Sequence, residues 1–381
     1  MKIARIETFL VPPRWLFCRV ETDDGIVGWG EPVVEGRAEV VRTAVQVLSE
    51  YLIGQAPLRI EDHWQVMTKA GFYRGGPILS SAVAGLDQAL WDIAGKFYGA
   101  PVHALLGGPV RDRVRVYAWV GGDEPSGLRE AVSAQVEAGF TAVKMNVAGR
   151  LPKAVTMADI AAVVARAEVA REILGPDRDF GLDAHGRATV PTARRIIDAV
   201  AHLHPMFVEE PVAPEYLHRV GDLTSAGTVP IALGERLYSR TDFLPALQAG
   251  IAIAQPDLSH AGGISETRRI AALAETFDVQ IAPHCPLGPI ALAASLQVGF
   301  ATPNFLIQEQ SAGMHYNTGA DLLDYVLDRS PFTFVDGHAA RVDAPGLGVS
   351  VDEAAVRAAD RRGHEWRNPV WRHDDGSLAE W

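Results

Sequence analysis

A chain of 381 residues with 48% apolar and 22% charged residues can bury one or more substantial cores, which excludes a disordered or low-complexity polymer. A formal charge of −12 argues against binding nucleic-acid phosphates, and two cysteines, Cys18 and Cys285, exclude a disulfide framework. The opening "MKIARIETFLVPP" lacks a signal-peptide core and the longest nearly apolar run, "PIALAASLQVGFA", is too short to span a bilayer, so a cytoplasmic protein without a membrane partner is expected.

Residues 1–112 read as strands followed by helices. "KIARIETFLV" alternates, and "WLFCRVETDDGIVGWGE" reads as a hairpin turning at Asp23-Asp24-Gly25. "RAEVVRTAVQVLSEYLIG" has helical spacing with a glycine stop at Gly54, and "SSAVAGLDQALWDIAGKFYG" predicts a helix with Ser81 as N-cap and Gly99 past its end. An α+β domain is the expectation.

From Val114 the pattern changes to eight strand-like runs, beginning at residues 114, 141, 180, 206, 230, 251, 279 and 304. Most starts are 21 to 28 residues apart, the length of one βα unit, and the 39-residue gap after Thr141 leaves room for an extra loop. Eight such units over residues 113–320 predict a TIM-type (β/α) barrel, an α/β fold capped by the N-terminal α+β domain. A doubly wound sheet would want a G-x-G-x-x-G turn after its first strand, and none follows Val120. Residues 321–381 lack the rhythm and are expected to pack back on the capping domain.

Barrel chemistry sits at the C-terminal ends of strands. The third run ends in Asp183 and His185, the fourth in Glu209-Glu210, the fifth in Glu235, the sixth in Asp257, the seventh in His284 and the eighth in Glu309. Asp183, Glu209 and Glu235 are spaced by 26 residues, one βα unit each. Strand-end acids often cap the next helix, but three in register would repel one another unless a cation compensates. All-oxygen ligation by separate carboxylates suits Mg²⁺, while no thiolate pair or H-E-x-x-H helix invites zinc.

Asp257 and His284 on adjacent strands form an orienting pair, the aspartate fixing the imidazole tautomer of a general base. For "FGLDAHGR" strand alternation places Asp183 and His185 on one side, leaving His185 open as a second ligand, a proton carrier or a strand-end polar residue. Lys144 and Asn146 share a face on the second strand and could meet a substrate carboxylate or hydroxyls. Cys285, beside His284, points the other way by the same alternation. Arg14, Trp15, Tyr73 and Arg74 fall in cap segments expected over the barrel mouth, with the cap core as the alternative for Trp15 and Tyr73.

Asp, Glu and Glu on strands three to five, with an Asp/His dyad on six and seven, resemble the mandelate racemase subgroup of the enolase superfamily. The strings "PPRW", "VGWGEPVVEGRA", "AGFYRGGPIL", "DLSHAGGI", "IAPHCPLGPIALAA", "EQSAGMHYN" and "WRNPVWRHDDGSLAEW" extend the resemblance over essentially the whole chain. It implies an enolase-type modified barrel, metal ligation by Asp183, Glu209 and Glu235, His284 as base with Asp257, and His185 as acid, donating as imidazolium. It also implies that Glu309 stabilises an enediolate oxygen. Racemases of the subgroup place Lys-x-Lys where this chain has Lys144-x-Asn146, which favours dehydration of an aldonic acid sugar over racemisation. Rival readings are a dehydratase or epimerase for another acid sugar, or a non-catalytic sugar-acid binder. A homo-oligomer is expected, as is common among such barrels.

Overall fold

The computed structural model describes residues 1–121, 125–225, 227–314 and 317–381. His315 and Tyr316, within one of the strings above, lie outside them. Strands β1 (Ile3–Val11), β2 (Trp15–Thr22) and β3 (Val27–Gly30) make an antiparallel sheet, the second turn closing at Gly25 with φ +88° where a side chain would be strained. Helices α1 (Ala38–Leu52) and α3 (Pro77–Tyr98) pack on it, and α2 (Ile60–Lys69) packs on α1 and α3. Helix α3 starts four residues before the predicted cap. Pro77, preset for the first turn, follows Gly76, and Ser81 is buried inside the helix instead of capping it. Gly99 ends it in the left-handed region as expected.

After the short helix α4 (Val102–Leu105) the chain alternates β4 (Arg113–Trp119), α5 (Pro125–Glu137), β5 (Ala142–Asn146), α6 (Met157–Leu174), β6 (Asp179–Asp183), α7 (Val190–Val200) and β7 (Phe207–Glu209). It continues through α8 (Gly221–Thr224), β8 (Ile231–Leu233), α9 (Arg240–Gln248), β9 (Ile253–Ala254), α10 (Gly263–Glu275), β10 (Gln280–Ile281), α11 (Pro289–Ala301) and β11 (Gln308–Glu309). β4 to β10 pair in parallel in chain order, and β11 returns to pair with β4 through Gln308↔Val116 and Glu309↔Tyr117. An Ile281↔Phe305 bridge closes the remaining seam. The eight strands are the eight runs read in the sequence.

The barrel interior is filled by alternating large and small side chains, Tyr117, Ala142, Phe207, Ala232, Ile253, Ala282 and Ile307. Above that plug the inward positions become charged, so the barrel is packed at its base and polar at its mouth. The cap closes over this end, and Glu31 locks it there by accepting from the Gly288 and Ala291 amides at the start of α11, 2.6 and 3.0 Å away.

The C-terminal segment divides its contacts. β12 (Phe334–Val335) and β13 (His338–Ala340) extend the sheet at β4, while α12 (Glu353–Asp360) packs on β1, Asp360 accepting from Leu10 N at 2.7 Å. Besides meeting the cap, the segment thus covers β4's outer residues Arg113 to Arg115, which needed a partner. A last hairpin, β14 (Trp371–Arg372) and β15 (Leu378–Ala379), follows. Among the described residues no helix is long and apolar enough to cross a membrane.

Trp15 is fully buried, stacked on Phe17 and edge-on to Tyr325. Trp15→Ala is expected to cost about 3–5 kcal/mol by leaving a core cavity. Denaturant unfolding measures this, and a cost near zero would contradict the packing described.

Candidate active site

Strand pairing fixes the acids in space. Asp183 and Glu209 are register partners at the ends of β6 and β7, and Glu235 lies two residues past β8. One carboxylate oxygen from each of the three lies within 4.8 Å of the other two. Asp183 and Glu209 are 0% and 1% exposed. Such a cluster cannot persist without cations. Lys144, itself 1% exposed, sends its ammonium among them: 2.6 Å from Glu209 Oε1, 2.9 Å from Glu309 Oε1 and 3.5 Å from Asp183 Oδ2. The other Glu209 oxygen accepts from Gln255 Nε2 at 2.6 Å.

One ammonium does not balance this many buried acids. Burial, with the Asp183 charge added, pushes Glu209 well above the usual carboxylate range against the pull of Lys144. Asp183 is held low although burial opposes it, because the His185 and Lys144 charges prevail. Three oxygen ligands with surplus negative charge and no soft donor fit a hard divalent cation.

His284 stands beside the acids. Its Nδ1 lies 2.8 Å from Asp257 Oδ2 and its Nε2 3.2 Å from Glu235 Oε2. Burial would lower its pKa, but the Glu235 and Glu309 charges and the Asp257 hydrogen bond raise it to about 10. Asp257 is itself fixed by Ser259 N at 2.6 Å. The same aspartate faces His260 Nδ1 at 3.6 Å, and His260 continues to Glu35 (3.4 Å), which is paired with Arg14 at 3.0 Å.

His185 reaches the cavity by a route the alternation argument did not foresee. β6 ends at Asp183, and His185 has φ +49°, a left-handed turn residue instead of a strand position. The turn folds the ring back so that Nε2 is 3.0 Å from Asp183 Oδ2, while its backbone N–H donates to Oδ1 at 2.9 Å. Arg187 Nη2 lies 2.8 Å from Nδ1. A guanidinium can only donate, so in the neutral ring Nδ1 accepts and the proton sits on Nε2, toward the cavity. The ring also stacks on Trp119, centroids 6.2 Å apart and planes at 7°.

These groups share one cavity of about 330 Å³, lined by Lys144, Asp183, His185, Glu235, His284 and Glu309 on the barrel side and by Arg14 and Glu35 on the cap side. Glu209 and Asp257 support it from behind. Of the remaining sequence candidates, Asn146, the last residue of β5, is not among the described residues that line it. Trp15 belongs to the cap core. Tyr73 and Arg74 sit on the loop between α2 and α3, Tyr73 87% exposed, beside a separate groove with Trp64 and Arg240. Cys285 is buried outside the cavity, its N–H donating to Glu309 Oε2 at 2.8 Å. Sequence reasoning passed over Gln255, Arg187, Trp119, Glu35 and His260. Gln255 was detectable, lying two residues before Asp257 on the same strand end. Trp119 was detectable too, as the last residue of β4, whereas Arg187, Glu35 and His260 depend on loops whose paths sequence spacing does not give.

Two family models cover the chain: mandelate racemase / muconate lactonizing enzyme, N-terminal domain, over residues 11–107, and enolase C-terminal domain-like over residues 127–355. The chain is similar to D-galactonate dehydratases from Ralstonia pickettii (strain 12J), 53% identical, and Pectobacterium atrosepticum, 52% identical, each over 382 residues and 100% of both chains. Among solved structures it resembles an enolase from Agrobacterium radiobacter with sodium and L-malate bound, at TM-score 0.89 and 35% identity over 100% of both chains. A member of the enolase superfamily from Salmonella Typhimurium matches at TM-score 0.84 and 28% identity, over 93% of this chain and 97% of that one.

Gln255 orients Glu209 without touching the cavity, so if the three acids hold a divalent cation, Gln255→Leu is expected to weaken its binding by about 10–100-fold. Isothermal calorimetry with Mg²⁺ alone reads this, and unchanged affinity would remove Glu209 from the ligand set.

Proposed function

Because the chain belongs to the enolase superfamily, with the domain pair of the mandelate racemase and muconate lactonizing enzyme family, we propose that it dehydrates D-galactonate to 2-dehydro-3-deoxy-D-galactonate. The observation that carries this reading is that two separately oriented proton carriers, His284 and His185, share one cavity with a triad of carboxylates.

Loss of water across C2 and C3 of an acid sugar needs a base for a weakly acidic proton and an acid for a poor leaving group. Mg²⁺ held by Asp183, Glu209 and Glu235 would supply a Lewis acid for the substrate carboxylate. His284 takes the C2 proton at Nε2, the nitrogen left for substrate once Nδ1 is bound to Asp257. The C–H electron pair moves toward C1, giving an enediolate. Lys144 and Glu309 are assigned to the carboxylate oxygens, and their 2.9 Å contact supports their acting together there. His185, entering the step as the imidazolium, hydrogen-bonds the 3-hydroxyl through Nε2–H and gives it that proton as the C3–O bond breaks, which leaves a neutral ring. Water departs, and the resulting enol becomes the 2-keto-3-deoxy acid. Arg14, next to Glu35 and the cavity, is assigned to substrate hydroxyls. A homo-oligomer is part of this proposal, with exposed Val40, Val47 and Tyr51 of α1 as the face offered to a second copy.

Product analysis from a panel of acid sugars, with Mg²⁺ and with chelator, tests the reading. Turnover of D-galactonate to the 2-keto product, lost with chelator, is expected. Turnover of another acid instead would overturn the substrate, a 2-epimer would favour the epimerase, and no turnover would favour a binding protein. Asp257→Asn should lower kcat by about 10³–10⁴-fold by misorienting the base. His185→Gln should abolish product yet retain exchange of the C2 proton with D₂O, detected by NMR, since the base is untouched. Loss of exchange in that variant would reassign His185.

A further inference from the structure

The cavity wall opposite the barrel is built by residues far from the cap loops expected to supply it. Trp366, Asn368 and Trp381 line it together with Arg14 and Glu35. Gly363, at φ +61°, ends α12 and releases the chain toward the mouth. The segment that follows is fastened at both sides. On the cap side, His364 Nε2 lies 3.1 Å from the Trp15 carbonyl and Arg14 lies 5.7 Å from the Trp366 ring centroid. Asn368 presses against Gly36, where φ is +74° and an added Cβ would sit 1.9 Å from Asn368 Oδ1. On the barrel side, Trp371 lies under the Arg187 guanidinium at 4.9 Å, and Arg150 Nη1 donates to the Arg372 carbonyl. Arg187 is the residue that holds His185.

The segment thus bridges cap and barrel across the mouth. It presents two indole rings with centroids 5.9 Å apart and one carboxamide. Aromatic faces covering C–H surface, with a carboxamide and an indole N–H for hydroxyls, make a surface matched to a polyol. The opposite side of the cavity is occupied by the groups assigned to C1, C2 and C3.

We propose that residues 364–381 form the specificity-determining wall of the site, with Trp366, Asn368 and Trp381 taking the distal C4–C6 polyol end of the acid sugar. The inference rests on the dehydratase reading above and adds where chain length is read. Trp371 serves as the anchor that keeps the wall seated.

The test compares D-galactonate with L-threonate, a four-carbon acid with the same configuration at C2 and C3, in wild type, Trp366→Ala and Asn368→Ala, all Mg²⁺-loaded. Loss of one such contact should raise KM for D-galactonate about tenfold in each variant with kcat within about threefold, leaving kcat/KM for L-threonate within about twofold. Equal losses on both acids, a fall confined to kcat, or no change would overturn the wall. Asn368 is exposed, so its variant tests the proposal even if Trp366→Ala fails to fold. If wild type prefers another acid of the panel, that acid and its four-carbon counterpart take the same comparison. A wild type that turns over no acid sugar overturns the parent reading and this inference with it.

Discussion

The structure is organised around acids that cannot be left to themselves. Asp183, Glu209 and Glu309 are all at most 1% exposed and meet at one ammonium, that of Lys144. Burial of like charges at this density is unfavourable unless cations and hydrogen-bond donors surround them. Much of the neighbouring architecture answers that demand: Gln255 on Glu209, Cys285 N on Glu309, and the imidazoles of His185 and His284 on Asp183 and Glu235. A divalent cation held by the three acids would complete the neutralisation that Lys144 begins. The same imbalance that draws a metal would stabilise an anionic intermediate.

Around this centre the two histidines are prepared differently. His284 has a carboxylate behind it, so its far nitrogen is made basic. His185 has a guanidinium behind it, so its far nitrogen carries the proton. In the proposed reaction one imidazole accepts and the other donates, and a barrel rim a few residues deep holds both. The buried relay from Asp257 through His260 and Glu35 to Arg14 ties the base to the cap, so the roof and the chemistry are mechanically joined.

Period and spacing were enough for the repeating parts. Strand alternation and a βα length near 26 residues identify eight strands, and the same period brings Asp183, Glu209 and Glu235 to one rim because a closed barrel returns each strand end to the same level. Asp257 and His284 follow from the same reasoning. It failed where backbone leaves the regular period. His185 was assigned to the right cavity for the wrong reason, since its position comes from a left-handed turn beyond β6. Asn146 was expected at the substrate beside Lys144, yet this last residue of β5 is not among those that line the cavity. Ser81 looked like a cap, but Pro77 had already set the first turn of α3.

What the sequence by itself determined is the barrel, the register of its acids and the pairing of Asp257 with His284, because each is a consequence of local periodicity repeated eight times. What only the tertiary structure decided is the company those residues keep. Trp15 goes into the cap core, Tyr73 and Arg74 face a different groove, and Trp366, Asn368 and Trp381 cross more than three hundred residues of sequence to meet Arg14. Such contacts are made by loops and a terminal segment with no period of their own. Their places are set by which surfaces remain to be covered once the barrel has closed and its acids are neutralised.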